Sequence, residues 1–207
     1  MVSGAGAVPD AEVERAAAAL ARGEVVGLPT DTVYGIAALA RLPEACTRLC
    51  ALKERPEEVA LPVLVADLDQ ALGLIDRSDG SGRGLAALAR AFWPGPLTVV
   101  VRRARAAPLG LGGDPSTVGL RCPDNELVRR LARQLGPLAV TSANRHGDAP
   151  CVTAAEVRAL FGRAVATVVD GGRCDSMPST VVSLTGPEPR CVREGALAFG
   201  RVVAALS

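Results

Sequence analysis

The stretch Glu24-Val25-Val26-Gly27-Leu28-Pro29-Thr30-Asp31-Thr32-Val33-Tyr34-Gly35 decides how the fold is read. Residues 24–28 form an apolar strand. Residues 29–35 then pack two hydroxyls, a carboxylate and the only tyrosine into a turn-rich segment. An Ala-rich helix opened by Asp10 and ended by Gly23 precedes the strand, with Val13, Ala16, Ala17 and Leu20 on one face. Helix, strand, polar loop is the repeating unit of an α/β protein, whose ligand loops follow strand ends.

The same alternation continues along the chain. Spacing predicts helices over 43–52, 68–74, 84–92 and 124–135, a helix opened by a Thr153/Glu156 capping box and ending at Phe161, and a last helix over 197–206. Strands are predicted over 61–65, 97–101, 117–121, 138–141, 164–169, 180–184 and 191–193. Residues 102–116 read as a long Arg/Ala/Gly/Pro loop. No repeat or interdomain linker interrupts the pattern. The expectation is a flexible N-terminus over 1–9 and one α/β domain over 10–207, a twisted mixed sheet with flanking helices. The loops 29–35, 142–150 and 170–180 each follow a strand and are the places for a ligand.

With 207 residues, 49% hydrophobic and 22% charged, the chain is long enough to bury a sizeable core. No apolar run reaches the ~20 residues of a membrane span, and residues 1–10 carry no secretory signal, so a cytoplasmic protein is expected. A net charge of +1 excludes a polycation that holds nucleic acid by bulk electrostatics, and five aromatic residues (Trp 1, Tyr 1, Phe 3) make no stacking platform. The six cysteines contain no C-x-x-C pair and read as small apolar groups; no zinc or other metal site is expected. Lys53, the only lysine, stands between Leu52 and Glu54, which excludes a Walker A loop. Gly110-Leu111-Gly112-Gly113-Asp114-Pro115 is no dinucleotide fingerprint, and no G-x-S-x-G elbow occurs.

Five clusters carry polar chemistry. Lys53-Glu54-Arg55-Pro56 suits a phosphate, or is a basic helix end complementing the dipole. Thr141-Ser142-Ala143-Asn144 suits ligand oxygens, or is a polar turn satisfying its own backbone. Ser179-Thr180 is a site or a strand entry. Arg121 suits a carboxylate, or a surface ion pair. Segment 29–35 names no reaction by itself. His146 with Cys151 lacks an orienting third group and reads as a loop histidine.

In order, P-T-D-T-V-Y-G, K-x-R-P, F-W-P-G-P-L-T, R-x-P, S-A-N and S-T-V-V resemble the threonylcarbamoyl-AMP synthases, the YrdC/Sua5 family, across about residues 10–200. The chain is similar to the short, single-domain form. The resemblance implies a YrdC-like domain around a large concave, electropositive cavity. It implies a nucleotidyltransferase that turns L-threonine, bicarbonate and ATP, with Mg²⁺ on the triphosphate, into L-threonylcarbamoyladenylate and pyrophosphate. That product feeds the t6A modification at position 37 of ANN-decoding tRNAs through partner proteins. Carried over by motif, Lys53, Arg55, Ser142 and Asn144 are the catalytic group. Lys53, Arg55, Val59, Thr117, Ser142, Asn144, Pro150 and Arg193 bind ATP. Thr32, Arg121, Val140 and Ser179 bind threonine. Leu64 stands where some relatives have a histidine. A non-catalytic RNA-binding module and a carbamoyl-transfer domain of the hydrogenase-maturation type are the alternatives.

Overall fold

The computed structural model describes residues 8–54, 59–107, 109–145 and 147–206. Among them, helix α1 (Asp10–Ala21) leads into β1 (Val26–Leu28), β2 (Gly35–Leu39) and α2 (Pro43–Leu52). Next come β3 (Val63–Leu64), α3 (Leu68–Leu72), α4 (Ser81–Phe92), β4 (Leu97–Arg102) and β5 (Thr117–Arg121). The chain continues through α5 (Glu126–Leu135), β6 (Leu138–Ser142), α6 (Ala154–Phe161) and β7 (Thr167–Val168). It closes with β8 (Thr180–Ser183), β9 (Arg190–Arg193) and α7 (Phe199–Ala204).

The strands form one mixed sheet in the order β7-β1-β2-β6-β3-β5-β4-β8-β9. Pairs β1–β7, β3–β5 and β4–β8 are parallel and the others antiparallel. Successive strand residues point to opposite faces, so each strand feeds two cores. Ile36, Ala38, Val63 and Ala139 join Leu49 of α2, Leu85 and Leu88 of α4, and Val157 of α6. Ala37, Leu39, Leu64 and Leu138 join Leu20 of α1 and Leu131 of α5 on the other face. Helices therefore cover both faces, the α/β arrangement that the alternation implies.

Local chemistry sets most boundaries. Pro43 opens α2, and Thr153 with Glu156 makes the expected capping box on α6. The Asn125 side chain accepts from Val128 N–H, which starts α5 at Glu126 rather than at 124. Gly80, at φ 80°, supplies the left-handed turn that starts α4 at Ser81, ahead of the expected 84. Pro9 stands at the N-cap of α1, so Asp10 lies inside the first turn and favours the dipole from there. Residues 162–164 form a 3₁₀ turn, which shortens the strand expected over 164–169 to two residues.

The element that the sequence reading lacks is β2. Its residues Gly-Ile-Ala-Ala-Leu are all buried, because helices cover both faces, so no polar alternation marks it. The expected flexible segment 1–9 lies largely outside the described residues. None of the helices among the described residues is long and apolar enough to cross a membrane.

Candidate active site

Strand register lines up the site. Leu64 lies opposite Arg121, and Leu120 opposite Val99, which brings Arg121 beside Thr98. Thr98 neighbours Val181, and Val181 faces Arg193. One row across β3, β5, β4, β8 and β9 thus carries Leu64, Arg121, Thr98 and Arg193 on the same face of the sheet. A cavity of about 270 Å³ opens over this row. Its walls include Thr30 and Thr32 from the β1–β2 segment, Val140 and Ser142 from β6, Pro150, and Pro178 with Ser179. Gly35 also lines it, and a Cβ there would stand 2.9 Å from Val140, so glycine keeps that wall open.

Arg121 is held on three sides. Its Nε donates to Gly95 O (3.0 Å), Nη1 to Thr32 Oγ1 (3.1 Å) and Nη2 to Asp31 Oδ1 (2.6 Å). The Arg121 and Asp31 side chains are 7% and 13% exposed, so this is a buried ion pair rather than a surface one. Removing one partner of such a pair costs about 3–5 kcal/mol.

Arg193 comes from edge strand β9. Its Nη2 donates to Ser179 O (2.8 Å) and Ser179 Oγ (3.2 Å), and its Nε to Ser179 O (3.2 Å). Ser179 Oγ also pairs with Thr98 Oγ1 at 3.0 Å. Partial burial of its guanidinium, and then the nearby Arg121 guanidinium, hold the Arg193 pKa below the usual arginine value, although the residue as a whole is exposed. The two guanidiniums therefore face a common space that favours an anion. Gly195 makes the approach possible: a Cβ there would sit 2.2 Å from Pro178 O.

Lys53, at the end of α2, is 4% exposed. Its Nζ donates to Ser142 O (3.0 Å), Asn144 O (2.8 Å) and Asn144 Oδ1, with Ser142 Oγ at 3.4 Å. Asn144 Nδ2 donates to Arg145 O and Asp148 O, both at 2.8 Å, and Ser142 Oγ donates to Asn144 Oδ1 at 2.6 Å. The Asn144 amide thus closes its own turn, while Ser142 reaches the cavity wall.

Of the residues that the motifs single out, Thr32, Arg121, Val140, Ser142, Pro150, Ser179 and Arg193 line the cavity. Lys53 and Asn144 stand behind Ser142. Val59 is 46% exposed and lines no part of the cavity. Thr117 lies at the far end of β5, four residues or about 13 Å from Arg121 and on the same face. Gly119 stands between them, where an added Cβ would lie 3.5 Å from the Thr98 side chain, and Thr117 does not line the cavity. Arg55 and His146 lie outside the described residues. Cys151 is buried, which pushes its thiol pKa up and away from a nucleophile's range.

Several site residues carry no role in the sequence reading. Asp31, Thr30 and Tyr34 sit in the opening segment, and Thr98 is the lone hydroxyl of an apolar strand. The Tyr34 hydroxyl donates to Gly172 O (2.8 Å) and accepts from Gly171 N–H (3.1 Å). Ser176 N–H donates to Thr32 O at 3.0 Å. These contacts tie the 170–179 loop over the Arg121 end. Among the described residues no group of three or more His, Cys, Asp or Glu comes together.

Known proteins share this chain's sequence and fold. The family model Sua5_yciO_yrdC, described as "Telomere recombination", matches residues 18–195. The threonylcarbamoyl-AMP synthase of Chromohalobacter salexigens is 40% identical over 180 residues, 84% of this chain and 92% of its own length. That of Bacillus subtilis is 35% identical over 202 residues, and this chain spans 57% of its length. The crystal structure of P. abyssi Sua5 complexed with L-threonine superposes with a TM-score of 0.87 at 30% identity, over 95% of this chain and 58% of that one. With a family model over most of its length and relatives of this identity, the chain belongs to the Sua5/YciO/YrdC family.

Proposed function

We propose that this chain makes L-threonylcarbamoyladenylate and pyrophosphate from L-threonine, bicarbonate and ATP, the step that supplies t6A at position 37 of ANN-decoding tRNAs. Partner proteins then attach the group to tRNA. The observation that carries this reading is the row of Arg121, Thr98 and Arg193 under one small cavity, with Thr32 and Ser179 on its walls. About 270 Å³ is below the ~300 Å³ at which drug-sized pockets begin, so its enclosed part suits an amino acid. The nucleotide then extends along β5 toward Thr117, the position that its motif assigns to ATP.

The residue types match the chemistry. Threonine's amine reacts with bicarbonate to give a carbamate and water. A carbamate oxygen attacks the α-phosphorus, and the bond to the leaving pyrophosphate breaks. Negative charge gathers on phosphate oxygens, so positioned cations matter more than a protein nucleophile. Arg193 faces that space, and Arg121 holds the threonine carboxylate. Lys53 orders the Ser142–Asn144 segment, and Arg55 belongs to the same cationic cluster by its motif. Mg²⁺ enters with ATP as the substrate complex. The donors around the cavity are hydroxyls and guanidiniums, so the phosphates themselves hold the ion.

Pyrophosphate release from ATP by the purified protein tests the reading. Release that requires both L-threonine and bicarbonate is expected. Release independent of either one, or ATP binding with no turnover, would overturn it.

A further inference from the structure

Arg121 lines the cavity where the proposed amino acid binds, and Asp31, between the lining residues Thr30 and Thr32, is its ion-pair partner. A guanidinium has five N–H donors. Three are spent on Gly95 O, Thr32 Oγ1 and Asp31 Oδ1, which leaves one hydrogen on each terminal nitrogen of Arg121. The neighbouring hydroxyls have a fixed direction. Thr30 Oγ1 donates to Val33 O at 2.7 Å, so its oxygen accepts from Thr32 N–H (3.1 Å) and from the Thr32 hydroxyl (3.0 Å). Thr32 Oγ1 also receives the Arg121 Nη1 hydrogen. With its own proton committed to Thr30, Thr32 offers a ligand only a lone pair.

Asp31 is likewise an acceptor. Beside a guanidinium with two spare donors therefore lie two groups that accept and do not donate. This is the complement of a zwitterion, with the α-carboxylate on the cation and the α-ammonium on the acceptors. We propose that Asp31 is an ammonium-binding residue that exchanges partners, neutralising Arg121 in the empty cavity and taking the substrate's α-ammonium when the incoming carboxylate takes Arg121. The assignment rests on the amino-acid substrate proposed above and deepens it.

Calorimetric titration of the full chain with L-threonine and with 3-hydroxybutyrate, which has the same skeleton without the amine, tests this. For the wild type, L-threonine should bind at least about tenfold tighter, the range for a hydrogen bond to a charged group. Asp31→Asn should weaken L-threonine by about tenfold or more while leaving 3-hydroxybutyrate unchanged or tighter, because Arg121 is then freed. Equal weakening of both ligands would mean that Asp31 only orients Arg121, and would overturn the assignment. If Asp31→Asn does not fold, the wild type decides alone: 3-hydroxybutyrate binding as tightly as L-threonine overturns it. A wild type that binds no L-threonine overturns the proposed substrate, and this assignment with it, which no result on Asp31→Asn alone can do.

Discussion

Two buried cations, Arg121 lining the cavity and Lys53 behind Ser142, are held in unlike ways. Arg121, 6% exposed, is fixed by a carbonyl, a hydroxyl and a carboxylate, and still has donors to spare. Lys53, 4% exposed, has three N–H donors facing Ser142 O, Asn144 O and Asn144 Oδ1. A ligand carboxylate can join Arg121, whereas a phosphate at Lys53 must displace the protein's own acceptors. Burial and charge do not by themselves make a ligand contact. The count of uncommitted hydrogens separates a binding cation from one that first shapes a loop.

The harshest test of this comparison is Arg121→Ala. It strands the Asp31 carboxylate in a buried place, so stability should fall by about 3–5 kcal/mol in denaturant unfolding. In whatever protein remains folded, the KM for threonine should rise by a factor equivalent to about 2–5 kcal/mol. An unchanged threonine KM would remove Arg121 from the carboxylate role.

Lys53→Met should be the mirror case. Hydrogen bonds to a charged group contribute about 1.5–3 kcal/mol, so loosening the Ser142–Asn144 turn should cost about 3 kcal/mol of stability. The kcat for pyrophosphate release should drop while the threonine KM stays within a few-fold. A wild-type rate of adenylate formation would show that neither the turn nor the charge of Lys53 matters to the reaction.

Tyr34 sharpens the Arg121 side. Burial pushes its pKa up to about 12. The native state therefore favours the neutral phenol, and the stability this contributes is complete below the unfolded value near 10. It is lost as pH rises from about 10 to about 12, where the two-unit gap amounts to ~2.7 kcal/mol. Because the chain has one tyrosine, ultraviolet titration of tyrosinate reads this group alone. A native midpoint near 10 would mean that the 170–179 loop is not fastened over Thr32.

The smallest expected effect is at Thr117, the far end of β5. Thr117→Val should raise the ATP KM by about two- to tenfold, the range of one neutral hydrogen bond, and leave the threonine KM alone. A shift in the threonine KM instead would mean that Thr117 does not belong to the nucleotide's part of the site.

Much of the fold was legible. Pro43, the Thr153/Glu156 box and Asn125 set helix starts by local hydrogen-bonding chemistry, and the apolar runs at 97–101 and 117–121 marked strands. β2 was not legible, because a strand buried on both faces carries no alternation. Two-residue β3 and β7 lie inside the strands expected over 61–65 and 164–169 and are shorter than those ranges. Of the site, the motif residues Thr32, Arg121, Ser142, Ser179 and Arg193 converge as read, whereas Asp31 and Thr98 were passed over. A carboxylate in a polar turn and a hydroxyl in an apolar strand look ordinary until their partners are known.

The order of the elements other than β2, most helix starts, the scarcity of lysine and aromatic residues, and the family motifs are written in the amino-acid order. The local signals among them depend on neighbours a few residues apart. The strand order and the partners of each buried charge arise only on folding. Arg121 and Asp31 are 90 positions apart, and Lys53 and Asn144 are 91 apart. Which groups meet across such separations is set by register, and register is fixed when both faces of the sheet are buried at once.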